Sequence, residues 1–188
     1  MAAARFRANS GILPGDAVYI DESKARGYIL AAVAVAPVDR GEARRRLRRL
    51  LPKRQRRLHF KSESDPRRRA LLSELAGLSV RATVWQVSGK PDRIARPLCL
   101  EAAAGAALDA GASELVLERD ASLEAADRRT VGGVLRARRA PSGFAYRHAS
   151  PYDEPLLWVS DAVAWCHQKG GDWSRRAGAL VEGRVIRL

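Results

Sequence analysis

Two carboxylates follow directly on an alternating apolar run in AVYIDES, Ala17 to Ser23. A strand normally ends in turn residues, so a bare Asp21–Glu22 pair needs either water or a cation. Strand alternation puts Tyr19 and Asp21 on one face and Val18, Ile20 and Glu22 on the other, unless the strand ends or bulges at residue 21. A second apolar run ends in acids in LVLERD, where Val116, Glu118 and Asp120 share a face if the strand persists that far. Ligands of open α/β sheets bind outside the carboxyl ends of the strands, so two acidic endings in one sheet outline a site. The third acid sits in DEPLLWVSDAVAWCHQ. Leu157, Asp161, Ala164 and Gln168 fall on one helical stripe, with Glu154 two turns before Asp161 on nearly the same face. Leu157 and Ala164 should face the core and draw Asp161 inward. An unpaired carboxylate is costly there, so it needs a cation, an arginine or hydrogen-bond donors. Carboxylate oxygens are hard ligands suited to Mg²⁺ or Mn²⁺. A metal site and a structural Asp–Arg pair both fit the residues.

LHFKSES adds His59, Lys61 and Glu63, which alternate onto one face of an extended segment. His59 is either a proton shuttle, a substrate contact or a packed side chain. His148 and His167 have no chemically useful neighbours and read as structural. The chain lacks a G-x-x-x-x-G-K-[ST] loop, a G-x-S-x-G elbow and a G-x-G-x-x-G turn. P-loop nucleotide hydrolysis and serine-hydrolase chemistry are therefore disfavoured.

The elements that must position these residues read as an alternating α/β order. Residues 1–16, broken by Gly11, Pro14 and Gly15, look like a loose, flexible arm. Residues 17–22 and 27–36 read as strands joined by a hairpin-like turn, the second apolar throughout and hence central. Residues 39–51 read as a helix with Ala43, Leu47, Leu50 and Leu51 inward and arginines outward. Residues 57–63 form a short strand or extended loop. Asp65-Pro66 then opens a helix to about Leu78. Strands over 79–88, 114–119 and 143–148 alternate with helices over 92–110, 122–138 and about 155–169. Gly170-Gly171 breaks the last helix, and 173–188 reads as a helix plus an extended end. This order predicts an α/β domain over 17–169 with a mixed sheet covered by helices on both faces, followed by a C-terminal extension, 170–188, packed on it. Either 79–88 or 114–119 can neighbour the first strand. In the former case Glu118 lies two strand spacings from Asp21, about 10 Å.

The 188 residues suffice for one domain with a real core, and 46% are apolar, which argues against disorder. The N-terminus has no apolar stretch of signal-peptide type, and the longest apolar run, Tyr28 to Val38, is too short for a bilayer and interrupted by Pro37. No membrane partner is expected. Cys99 and Cys166 fit no zinc spacing and read as reduced, buried thiols of a cytoplasmic protein. The net charge of +13 favours a polyanion partner, nucleic acid first. The abundance of Arg and Ala is also what a GC-rich coding sequence imposes, so clustering carries more weight. Residues 40–57 hold ten basic side chains against one acid, Glu42. Arg44, Arg45, Arg48 and Arg49 there, with Arg128, Arg129 and Arg136 on the later basic helix, are the candidates to hold a phosphate backbone.

VYIDES on a first strand, LH before a helix, LVLE on a later strand and EPLLWVSDAVAW on a late helix resemble the domain-of-unknown-function 3800 family over roughly residues 17–169. The late-helix motif is the most specific part. The resemblance implies a ribonuclease H-like fold and a metal-binding nuclease site. Asp21, Glu118 and Asp161 match the family's acids, with Glu22 and Glu63 as additional candidates. Residues and resemblance together point to hydrolysis of DNA or RNA phosphodiester bonds with Mg²⁺ or Mn²⁺ held by Asp21, Glu22, Glu118 and Asp161. Glu154 or His59 would order water or a product proton. Two other classes stay open: a non-catalytic nucleic-acid-binding protein on this fold, and a protein-interaction module of a toxin or phage-defence system. A homodimer also stays open.

Overall fold

The computed structural model describes residues 10–25, 27–182 and 185–188. Six strands, β1 (Ala17–Lys24), β2 (Tyr28–Val35), β3 (Arg81–Val87), β4 (Glu114–Glu118), β5 (Ala145–Ala149) and β6 (Ile186–Arg187), form one sheet in the order β5-β4-β1-β2-β3-β6. The β1–β2–β3 meander is antiparallel, while β4 runs parallel to β1 and β5 parallel to β4. The sheet is thus mixed, as the order of elements predicts. Every residue of β2 is buried, as a strand between two neighbours and two helical layers requires.

The topology settles which strand lies beside β1. It is β4, with Tyr19 opposite Val116 and Ile20 opposite Leu117. The strand 79–88, observed as β3, lies on the far side of β2. One step beyond the last pair, Asp21 and Glu118 are next to one another.

Strand alternation sends the two halves of the core to opposite faces. Tyr19, Ala31, Val33, Val84 and Val116 pack under α1 (Arg40–Arg49), α2 (Asp65–Ala76) and α5 (Leu157–Lys169). Val18, Ile20, Leu30, Trp85, Leu115 and Leu117 pack under α3 (Asp92–Asp109) and α4 (Glu124–Ala137). The apolar stripe of α5 is unbroken from Leu157 to Ala164 except at Asp161, so packing α5 on β1 carries that carboxylate to the sheet.

Several expectations need correction. Residues 1–9 of the expected arm lie outside the described residues, but 10–16 are not loose. Ser10 and Ile12 are buried, and Asp16 is buried against Arg81 at 2.5 Å while also accepting the Leu13 N–H. The 57–63 segment is extended only to His59 and then tightens into a 3-10 turn, Phe60–Ser62. His59, Lys61 and Glu63 therefore do not share a face, and Glu63 accepts a bond from Gln55. Ser64, not Asp65, is the residue before α2; Asp65 is inside the first turn, paired with Arg68. The tail packs on the domain, with α6 (Gly171–Ala177) following α5 and β6 pairing with β3. Among the described residues no helix is long and apolar enough to cross a membrane.

Candidate active site

Asp21, Glu118 and Asp161 open into one cleft of about 150 Å³, which Glu22, Arg57, His59 and Trp158 also border. Asp21 and Glu118 come from adjacent parallel strands on the α5 face, and Asp161 descends onto them from α5. The three acids singled out by sequence are therefore brought together.

Their electrostatics follow from crowding. Asp21 is pushed well above the ordinary carboxylate range, first by burial, then by the neighbouring charges of Glu118, Asp161 and Glu22; the Glu22 N–H, 2.7 Å from Oδ1, opposes this. Glu118 is raised by burial and by Asp161, against a hydrogen bond with Asp21 and the nearby Arg57. Asp161 is also raised by burial, against the Phe60 N–H at 2.8 Å and the charges of His59 and Arg57. The partner expected for a buried Asp161 is thus a backbone donor, with His59 and Arg57 nearby, and not a direct arginine ion pair. Like charges confined in low dielectric are the arrangement that protons or cations relieve.

The donor set is all carboxylate oxygen, the set that suits Mg²⁺ or Mn²⁺ rather than a soft metal. Among the described residues no three acidic, histidine or cysteine side chains are already gathered tightly enough to hold an ion as they stand. One oxygen of Asp161 is already held by the Phe60 N–H.

Glu22 borders the cleft, but alternation turns its carboxylate toward the α3 face. There Oε1 meets Arg96 at 2.7 Å and Lys24 at 3.1 Å. β1 continues to Lys24 without a bulge, so Asp21 and Glu22 keep to opposite faces of the sheet. Asp120 lies past the end of β4, exposed, and accepts from Ser122. Glu154 is not a water-ordering group either. It is buried and takes a two-pronged bond from Arg44, with Nε at 2.9 Å and Nη2 at 2.7 Å. Arg44 Nη2 also donates to the Tyr19 hydroxyl at 2.9 Å. Arg44, expected on the phosphate-binding face, is therefore committed inward and ties α1 to β1.

The other candidate arginines divide between two faces. Arg45, Arg48 and Arg49 are exposed on α1, and Arg128, Arg129 and Arg136 are exposed on α4. Because α1 and α4 cover opposite faces of the sheet, the two sets do not form one patch. Arg45 and Arg128 are further engaged by Glu42 and Glu124 on their own helices.

Two residues of the neighbourhood escaped the sequence reading. Arg57 reaches within 3.9 Å of Glu118 and stacks over the Tyr152 ring, 5.1 Å from its centroid. Its signal was its place two residues before His59, hidden in a general run of arginines. Arg96 is buried and joins Glu22 to Asp127, with two 2.7 Å bonds to the latter, and donates to the Tyr28 hydroxyl. An arginine in line with Cys99 and Ala103 on an otherwise apolar helix face was the available sign.

No protein-family model matches the chain, and no curated protein matches it. Among solved structures, a chain of the PCNA:RNase HII complex from Archaeoglobus fulgidus is similar, with a TM-score of 0.53 and 16% identity. The match covers 84% of this chain and 73% of that one. The fold is ribonuclease H-like. At this identity the likeness carries the fold alone, and the chemistry rests on the cleft.

Proposed function

We propose that the protein is a metal-dependent nuclease that hydrolyses phosphodiester bonds of DNA or RNA at the Asp21–Glu118–Asp161 cleft. The observation that carries this reading is the convergence of three carboxylates from β1, β4 and α5 in one cleft, each raised first by burial, with Asp21 raised further by Glu118 and Asp161 and Glu118 raised further by Asp161. The net charge of +13 and the resemblance to the domain-of-unknown-function 3800 family support the same reading.

Asp21, Glu118 and Asp161 would hold Mg²⁺ or Mn²⁺. A divalent ion at such a site lowers the pKa of bound water and stabilises charge on the leaving oxygen. The protein's own part is to bring the acids together. Phe60 N–H fixes one oxygen of Asp161, leaving its other oxygen to turn toward the cleft. His59, on the cleft wall, is placed to order water or to take a proton at a ring nitrogen. Arg57 stands beside Glu118 as a cation for the phosphate, steered by the Tyr152 ring beneath it. Arg96 keeps Glu22 on the far face, so the cleft is not overloaded with a fourth free acid.

Incubating end-labelled single-stranded and duplex DNA and RNA with the wild type and with Asp161→Asn, in Mn²⁺ and in EDTA, tests this. The expected result is cleavage by the wild type in Mn²⁺ only, and none by a variant that melts normally. A wild type that binds nucleic acid but cuts none of these would be a non-catalytic binding protein. Cleavage undiminished in Asp161→Asn would remove the cleft from the reaction.

A further inference from the structure

The segments that deliver the acids run on into a second, larger recess. β1 continues from Asp21 to Ser23, and the 3-10 turn carries Lys61 beside the Phe60 N–H that binds Asp161. α5 continues one turn from Asp161 to Trp165 and two turns to Lys169. These residues, with Lys24, bound a cavity of about 490 Å³. That volume lies within the ~300–1,000 Å³ of small-ligand clefts.

The chain has only five lysines, and three of them, Lys24, Lys61 and Lys169, line this one cavity, whose described wall contains no carboxylate. Lys24 leans to Glu22 at 3.1 Å, while Lys61 and Lys169 are exposed at the rim. Trp165 lines the same cavity, half-buried and held by its ring contacts. Arg68 lies 4.4 Å over its ring, and Phe60 and Trp173 meet it edge-to-face, each at 5.4 Å. A rigid indole beside unneutralised ammonium groups is the combination that stacks a base and holds its phosphate. A base can stack on a side chain only when it is out of a duplex stack. The acid cleft repels a phosphate on its own, so the adjoining cations supply the anchorage that would bring a strand across it.

We propose that this lysine–tryptophan recess is a subsite for one nucleotide of a single strand of nucleic acid, seated next to the phosphate that lies over the acid cleft. The link to that phosphate rests on the nuclease reading; the binding itself does not.

The test is anisotropy of a labelled short oligo-dT and oligo-U with the full chain in EDTA, titrated between about 50 and about 200 mM salt. Each phosphate contact on a single strand contributes ~0.7 to the slope of log affinity against log salt. Lys61→Ala/Lys169→Ala should therefore flatten the slope by about 1.4 and weaken binding at least roughly tenfold at the low-salt end. Lys61→Arg/Lys169→Arg should restore the slope, and an unlabelled duplex should compete worse than an unlabelled single strand. Arg128→Ala/Arg129→Ala, on the opposite face, should change neither quantity at this site. An unchanged slope and affinity in the lysine double variant, or an equal loss in the arginine control, would overturn the proposal, as would better competition by duplex. EDTA separates the two readings. A wild type that cuts nothing yet binds through Lys61 and Lys169 sinks the nuclease reading alone. One that cuts in Mn²⁺ yet binds strands independently of those lysines sinks the subsite alone.

Discussion

Replacing Asp21 by Asn should stabilise the metal-free protein, and increasingly so as pH rises. Asp21 is the acid most strongly pushed upward, by burial and then by Glu118, Asp161 and Glu22. In the folded chain it keeps a proton that the unfolded chain loses near its ordinary value of ~3.9. Folding is therefore favoured by this group below that value, and the contribution is lost as pH climbs from there through the raised folded value. Each retained proton gives a slope of up to about 1.4 kcal/mol per pH unit. The asparagine holds no titrating proton but keeps an oxygen to accept the Glu22 N–H. The variant minus wild-type difference should thus grow with pH above about 4, by up to roughly 3–6 °C in Tm per unit for a chain of this size. Melts in EDTA at about pH 5, 6 and 7 read this directly. Adding Mn²⁺ at about a hundred times its Kd should then raise the wild type by ~2.7 kcal/mol, about 5–11 °C, and the variant far less. A stability difference that stays flat with pH, or equal Mn²⁺ shifts in both proteins, would refute the picture of a buried acid cluster, with Asp21 raised, that a cation relieves.

Arg44→Ala should cost about 3 kcal/mol, near the low end for a broken buried pair, because Arg147 remains 3.4 Å from Glu154; chemical denaturation measures it, and an effect confined to nucleic-acid affinity would contradict the inward placement. Asp127→Ala leaves the buried Arg96 without its two-pronged partner and should cost about 3–5 kcal/mol by the same measurement. Changing Arg45, Arg48 and Arg49 together to Ala should flatten the salt dependence of nucleic-acid binding, whereas changing Arg128, Arg129 and Arg136 should not, since the second set lies behind the sheet. A larger loss from the α4 set would move the binding surface to that face.

The acids were legible because each interrupts a strong apolar pattern: Asp21 and Glu118 end strands, and Asp161 breaks the inward stripe of α5. Alternation alone separated Asp21 from Glu22, and the structure keeps them apart. What pattern could not supply was pairing between distant segments. Nothing local says that β4, rather than β3, lies against β1, and that choice decides whether Glu118 reaches Asp21. The same limit hid the use of arginines. Arg44 and Arg45 are adjacent in sequence and equally basic, yet one is bonded to Glu154 from 110 residues away and the other lies in solvent. Helical phase distinguished them in principle, since Arg44 lies next to the stripe of Ala43 and Leu47, but the carboxylate that draws it inward comes from another part of the chain. The tight turn at Phe60 was likewise unreadable, because the partner of its N–H is Asp161.

A crystal soaked in Mn²⁺ and measured at the manganese absorption edge would show where the ion goes. The nuclease reading requires an anomalous peak within the cleft, bounded by carboxylate oxygens of Asp21, Glu118 and Asp161, that disappears in Asp161→Asn. A saturated crystal with no peak there, or with manganese held only by other side chains, would contradict it.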